Sequence, residues 1–248
     1  MKDGEKSLGK MLHILEAVSK EVGGIGSKEL IKKLQLPRST VFRMLKFLTE
    51  KDYIKTKGAV YILGNMILKL GTIAAKQNSL IRVAHPHLIE LSKVTCETSH
   101  LAELQENSVV YIDKVEGSRS LRMGSMIGNS SPLQCTGIGK VILAFLNNET
   151  LKDKIKNMAF KKFTSNTIMS RKILLEELKT IRKMKVAFDR CEHEEGVFCI
   201  ASPVFDCSGK VMAAVSVSGA EVYIRENTSE YAELVKNTAD AISKEIGA

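Results

Sequence analysis

The sequence predicts an α+β chain in two parts: an N-terminal winged helix-turn-helix, a linker helix, and an α/β domain built about one mixed or antiparallel sheet. Three observations predict it. Residues 27–63 read as helix, tight turn, helix and short hairpin. From Ser99 onward the apolar period shortens to two, and strands come in pairs between helical stretches. Positive charge is concentrated at one end: residues 1–63 hold 13 Lys or Arg against 7 Asp or Glu, a net of +6, and the remainder adds only +3 to the total of +9. At 248 residues the chain is long enough for two cores. The boundaries fall at 1–63, 64–78 and 79–248.

The first core needs a closing helix, and Leu8, Met11, Leu12, Ile14, Leu15 and Val18 lie close to helical spacing and supply it. SKELIKKL, residues 27–34, is a short helix with Ser27 as its N-cap. Gln35 and Leu36 turn the chain into PRSTVFRMLKFL, with Pro37 at the first helical position, where its missing N–H would go unpaired in any case. Val41, Met44, Leu45 and Leu48 make one apolar stripe. Arg38, Ser39, Thr40, Arg43 and Lys46 fall largely off it, so hydroxyls and cations crowd the exposed N-terminal end, as a helix entering a DNA major groove requires. YIKT and AVYIL then pivot on Lys57-Gly58 as a wing, which brings Lys55 and Lys57 to phosphate or the minor groove. Taken alone, residues 35–48 also fit an ordinary amphipathic helix with a solvated basic face, or a basic helix lying on a membrane surface.

The apolar stripe continues through Leu63, Met66, Ile67, Leu70, Ile73 and Ala74 as a linker helix with no obvious partner in its own domain. A second copy of the chain would cover it, giving a homodimer with two reading heads on one duplex, a tetramer being left open. Residues 79–93 follow as a helix interrupted near Pro86, with Val83, Leu88, Ile89 and Leu91 inward. Residues 99–104, 109–116 and 121–128 are strand-like, the first two joined by a turn at 105–108. Thr136 leads into a helix behind two glycines, and 151–158 and 172–185 are further helices. Strands at 197–206 and 210–219 meet at a hairpin loop, Cys207-Ser208-Gly209. A last helix, 228–246, opens on Asn227 three residues before Glu230, an Asn form of the capping box.

A pocket follows from strand alternation. Ser216 and Ser218 share a face with Ala214 and Met212, and Val197, Cys199, Ala201, Pro203 and Phe205 share one on the neighbouring strand. Small residues at Cys199, Ala201, Ala214, Ser216 and Ser218 leave hydroxyl-lined space for a small polar ligand. The turn Gly137-Ile138-Gly139 offers unpaired N–H groups at a helix N-terminus, which suit a carboxylate, and Asp189 can accept from ligand hydroxyls. A tight approach of helix to sheet, with the serines bonded locally, accounts for the same small residues.

Four stretches carry a resemblance over nearly the whole chain: PRSTVFRMLKFL with its wing, DKVEGSRSLRM (113–123), PLQCTGIGKVILA (132–144) and DRCEHEEGVFCIASPVFDCSGKVMAAVSVSG (189–219). In that order they resemble the IclR family of bacterial transcriptional regulators. The resemblance implies a winged helix-turn-helix, a linker helix used in dimerisation, and an effector-binding domain of GAF-like fold. It also implies that Gly137, Ile138, Asp189, Cys199, Ser216 and Ser218 line the effector pocket, with Ile138 standing where Ala is usual. Similarity around IDKVEGSRSLRM and CEHEEGVFCIASPVFD is to the branch that senses 2-keto-3-deoxygluconate. A DNA-binding repressor controlled by a sugar acid or keto acid is the function so implied.

Other chemistries fare less well. Cys135 or Cys199 with a histidine could form a nucleophile pair, yet neither sits in a local catalytic signature, and His193 is not spaced to fix contact with Cys199. No enzyme activity and no cofactor are expected. Cys191, His193, Cys199 and Cys207 do not have the spacing of structural zinc, and Glu192, Glu194 and Glu195 read as a solvated acidic loop, so no metal is expected. His85 and His87, flanking Pro86, read as surface or interface residues. Five cysteines without C-x-x-C spacing point to a reducing cytoplasm, and no apolar run reaches a membrane span.

Overall fold

The computed structural model describes residues 3–120 and 122–247, which fall into two compact units divided between Gln77 and Asn78. The first holds α1 (Asp3–Ser19), β1 (Ile25–Gly26), α2 (Ser27–Leu34), α3 (Arg38–Glu50), β2 (Ile54–Lys57), β3 (Val60–Leu63) and α4 (Asn65–Gln77). Its core is Ile14, Ala17 and Val18 of α1 with Leu30, the stripe Val41, Met44, Leu45 and Leu48, and Ile25 and Ile54. Leu8 and Leu12 do not join it; they are 65% and 58% exposed. At about 100° per residue, Leu12 lies nearly opposite Ile14 on the helix.

Both expected helix starts move by one residue. Gly26, not Ser27, is the N-cap of α2, because Ile25 and Gly26 are held extended as β1 against β3, a strand too short for the sequence to announce. Pro37 is the N-cap of α3 rather than its first helical residue: its φ of −55° and ψ of 138° are extended, and its carbonyl accepts the first helical bond from the Val41 N–H at 3.1 Å. The wing turns on Gly58 and Ala59, since Lys57 pairs with Val60. Gly58 has a φ of 62°, which the first central position of a tight hairpin turn of this kind requires. A Cβ at Gly64 would strike the Asp52 carbonyl, so only glycine lets the chain leave the wing and start α4. No residue of α4 is buried.

The second unit is one antiparallel six-stranded sheet between two helical layers. Its elements are α5 (Ser79–Thr95), β4 (Thr98–Gln105), β5 (Ser108–Val115), β6 (Ser130–Pro132), α6 (Gly137–Phe145), α7 (Asn148–Asn157), α8 (Arg171–Met184), β7 (Ala187–Arg190), β8 (Val197–Phe205), β9 (Val211–Ala220), α9 (Glu221–Glu226) and α10 (Thr228–Ile246). Strand order is β6-β5-β4-β9-β8-β7. On one face, Leu80, Ala84, Leu88 and Leu91 of α5 and Val235, Ala239 and Ile242 of α10 pack on Leu101, Ile200, Val215 and Val217. On the other, Val141, Ile142 and Leu143 of α6 with Leu174 and Leu178 of α8 pack on Ala102, Ala187, Ala201 and Ala214.

Several expectations are corrected here. α5 runs unbroken through Pro86, because its buried stripe at 80, 84, 88 and 91 holds both halves and Pro86 lies on the exposed side; Ile89 is exposed too. Residues 122–128 form no strand, since Gly124 and Gly128 break the alternation, and residue 121 lies outside the described residues. Met212 packs with the α5–α10 core and not beside Ala214, because a bulge pairs Phe205 with Val211 and skips a residue. Asn227 makes no capping bond to α10; it also ends α9, and its amide donates to the Tyr223 carbonyl at 2.9 Å.

Candidate functional site

The surface of α3 is built as its stripe dictates. Burying Val41, Met44, Leu45 and Leu48 leaves Arg38, Ser39, Arg43 and Lys46 exposed and Thr40 half-buried. No acidic residue sits in the first turn to neutralise them. The Arg38 guanidinium lies 5.4 Å from the centre of the exposed Phe42 ring, a cation–π contact one helical turn along. Lys46 has only Glu50 at 4.0 Å, too loose to immobilise it. On the wing Lys57 is exposed, whereas Lys55 is half-buried and donates to Asn65 Oδ1 at 2.7 Å, tying β2 to the start of α4.

In the second unit a cavity of about 320 Å³ opens on the α6 side of the sheet. Gly137, Ile138, Asp189, Cys199, Ser216 and Ser218 all line it. Register explains the convergence: Asp189 pairs with Cys199 and Cys199 with Ser218, while Ala201 pairs with Ser216. The small residues divide between two jobs. Ala201 takes the close approach of α6, since a Cβ on Gly137 would stand 3.3 Å from its own, and Cys199, Ser216 and Ser218 leave the space beyond. Thr136 caps α6, accepting from the Gly139 N–H at 3.0 Å and donating to the Pro132 carbonyl at 2.7 Å. The N–H groups of Gly137 and Ile138 are left as first-turn donors at the positive end of the helix. Ile138 contributes its backbone here while its side chain packs into the core.

Burial pushes the Asp189 carboxyl up to about 7, against the pull of the backbone N–H groups of Glu192 and His193; the charge of Glu192 raises it further and Lys140 lowers it. Near neutral pH it therefore takes both forms, and the protonated one can donate. The Cys199 thiol is raised well above its ordinary value by desolvation and by Asp189, which keeps it a thiol and unsuited to nucleophilic attack. Behind Asp189 lies an ion pair that sequence reasoning missed. Lys140, fully buried on α6, meets Glu192 Oε1 at 2.5 Å and Glu177 Oε1 at 3.4 Å, and the Glu192 N–H donates to Asp189 at 2.7 Å. Glu192 is thus 4% exposed and structural, not part of a solvated loop. Among the described residues no group of three His, Cys, Asp or Glu could hold a metal ion, and no helix is long and apolar enough to cross a membrane.

The cavity wall also contains residues that were not expected there, notably His100, Tyr111, Ser125 and Ser131. His100 is the cross-strand neighbour of Ser216, so its place was readable only once β4 was known to pair with β9.

A family model described as the bacterial transcriptional regulator IclR C-terminal matches residues 72–244, and one described as the IclR helix-turn-helix domain matches residues 7–58. The chain belongs to the IclR family. It is a DNA-binding transcriptional regulator with an effector domain, as that family's two-part organisation entails. Among IclR-family proteins it is 37% identical over 248 residues to the HTH-type transcriptional regulator KdgR of Escherichia coli strain K12, covering 99% of this chain and 94% of that one. It is 30% identical over 247 residues to the HTH-type transcriptional repressor AllR of the same organism, covering 98% of this chain and 91% of the relative. The crystal structure of the Thermotoga maritima IclR superposes with a TM-score of 0.84 at 34% identity, covering 98% of this chain and all of that one.

Proposed function

We propose that the chain is a repressor that binds operator DNA as a homodimer and releases it when a small carboxylate bearing a keto or hydroxyl group fills the cavity of the second unit. The observation that carries this reading is the convergence of the Ser216 and Ser218 hydroxyls, the first-turn N–H groups of Gly137 and Ile138 and the Asp189 carboxyl on a single cavity, whose wall also includes Glu194, in a chain that also presents Arg38, Ser39, Thr40 and Arg43 at the start of α3. The ligand carboxylate sits at Gly137 and Ile138, where N–H groups and helix dipole favour an anion, with Ser216 and Ser218 completing its shell. Asp189 takes a ligand hydroxyl at the far side of the same end, so the ligand's charge is kept away from its own. Arg43 and Lys46 reach the major groove and Lys57 the phosphates, while Lys55 acts closer to the hinge between wing and α4. The exposed apolar stripe of α4, within residues 64–78, supports dimer formation. Repression accords with the name of the relative AllR, a sugar-acid or keto-acid ligand with the residues lining the cavity, and a cytoplasmic location with the free cysteines.

The test is thermal unfolding against a panel of short keto acids, sugar acids and their uncharged sugar counterparts. A ligand that binds the folded state alone raises the midpoint by mass action. The expected result is a rise with one or more acids and none with the uncharged sugars. Stabilisation by uncharged sugars alone would remove the carboxylate from the reading.

A further inference from the structure

A second recess, of about 400 Å³, opens on the second unit between α8, the end of the edge strand β7 and α9, and shares no lining residue with the first cavity. The loop before α8 is tied to it. Thr164 Oγ1 donates to the Cys191 carbonyl and Thr167 Oγ1 to the Glu192 carbonyl, each at 2.7 Å, and the Asn166 amide donates to the Arg190 carbonyl at 3.1 Å. Two guanidiniums are then set on a pair of aromatic rings. That of Arg190 stands 5.0 Å from the centre of the Phe188 ring and that of Arg225 stands 5.7 Å from Phe198, the two rings being 6.3 Å apart. Each spends one nitrogen within the chain, Arg190 Nη1 on Glu177 at 3.1 Å and Arg225 Nε on Glu221 at 2.7 Å. A guanidinium has five donors in a planar fork, so both keep donors for a carboxylate.

Beside this positive pole lies a negative one. Lys140 reaches Oε1 of Glu192 at 2.5 Å and Oε1 of Glu177 at 3.4 Å, and the Arg190 backbone N–H meets the same Glu192 oxygen at 3.3 Å. The bonds to each carboxylate therefore fall on one oxygen. Glu192 Oε2 is buried and has no hydrogen-bond partner among the described residues, a costly state for a carboxylate oxygen that a ligand donor would relieve. Against burial, Lys140 and Arg190 hold the Glu177 carboxyl below its ordinary value, so this pole is charged. Three cations, Lys140, Arg190 and Arg225, stand against three carboxylates, Glu177, Glu192 and Glu221. Such a balance favours neither a lone anion nor a lone cation. It fits a ligand with one of each, held close together, because Arg190 touches Glu177. Ile168 and the exposed Ile173 add an apolar wall.

We propose that this recess binds a free α-amino acid with an apolar side chain. The carboxylate spans Arg190 and Arg225, the ammonium donates to the second oxygens of Glu177 and Glu192, and the side chain lies on Ile168 and Ile173. An α-amino acid carries its two charges on one carbon, as the adjacent poles demand, whereas the termini of a peptide are too far apart to meet both. The site is separate from the acid-binding cavity, although the Glu192 N–H donates to Asp189 at its wall.

Calorimetry on the full chain with L-leucine tests it, beside 4-methylpentanoate, which lacks the ammonium, 3-methylbutylamine, which lacks the carboxylate, and glycine, which lacks the side chain. The wild type should bind leucine at least tenfold more tightly than any of the three. Arg225→Gln, at an exposed position outside the core, should weaken leucine about tenfold or more through the loss of a charge-assisted pair. Ser216→Ala with Ser218→Ala should leave leucine affinity within about twofold, since those hydroxyls line the other cavity. A wild type that does not bind leucine, an analogue that binds as well, an affinity unmoved by Arg225→Gln, or a loss in the serine variant would each overturn the amino-acid site. None of these outcomes touches the reading of the first cavity, whose own test is stabilisation by acids.

Discussion

Asp189 is where a single residue governs the chemistry of the cavity. Its carboxyl is raised from an ordinary 3.8 to about 7, with burial the largest cause. The folded protein therefore holds a proton that the unfolded chain has released between about pH 4 and pH 7, and stability from this group falls as pH rises through that window, then levels off. Ligand binding follows the same sign, since an ionised Asp189 repels a carboxylate held elsewhere in the same cavity and a protonated one does not, while either form can bond the ligand hydroxyl. Affinity for an acid ligand should drop between about pH 6 and about pH 8 in the wild type and stay nearly flat in Asp189→Asn; equal slopes in calorimetric titrations of the two proteins would acquit Asp189. The cations of the reading head differ among themselves in a way the sequence does not show. Arg43→Ala should cost about 1–3 kcal/mol of operator affinity and relax one base position. Lys57→Ala should weaken all sequences alike and lower the salt slope by about one unit, whereas Lys55→Ala, whose ammonium is already held by Asn65, should change it less. Identical slopes for the two variants would mean that the Lys55–Asn65 bond opens on DNA.

Among the elements, those with a full amphipathic period were legible and those without one were not. The stripe Val41, Met44, Leu45 and Leu48 fixed the facing of α3, and it is buried as spaced. β1, β6 and β7, with two, three and four residues, are too short to show an alternation, and each exists because a neighbouring strand supplies hydrogen bonds. The bulge that turns Met212 to the other face depends on a pairing register that no single strand encodes. Pro86 misled for a related reason: helix-breaking cost is local, whereas the stripe of α5 against the sheet is tertiary. α4 is the element whose face is still bare, with Leu68, Leu70 and Ile73 all exposed. Ile67→Lys with Leu70→Lys should give folded monomers of poor operator affinity, because two half-site contacts no longer add. Light scattering that reports an unchanged mass would locate self-association elsewhere.

At the scale of the whole molecule, the division into a basic reading head and a sheet-based ligand domain was visible in the charge distribution and in the change of apolar period, since both are summed over many residues. The meeting of Gly137, Ile138, Asp189, Cys199, Ser216 and Ser218 at one end of the cavity was visible too, because strand parity and two glycines at the start of a helix are local signals. Its supporting pair Lys140 and Glu192 was hidden: each looks like a surface charge until α6 and the 190–196 loop are packed together. The opposite end, with His100 and Tyr111, needed the order β5-β4-β9. A regulator must couple this cavity to DNA, and a ligand can do so only by binding two arrangements of the protein unequally, typically by 1–3 kcal/mol or roughly 5–150-fold. The direct measurement is fluorescence anisotropy on an operator selected from random duplexes, with and without a saturating sugar acid, for the wild type and for Ser216→Ala with Ser218→Ala. The wild type should lose operator affinity within that range, and the variant should bind ligand-free operator within about twofold of the wild type and ignore the acid. A wild-type operator affinity unmoved by an acid that calorimetry shows to be bound, or a variant that responds as fully as the wild type, would contradict control of DNA binding through this cavity.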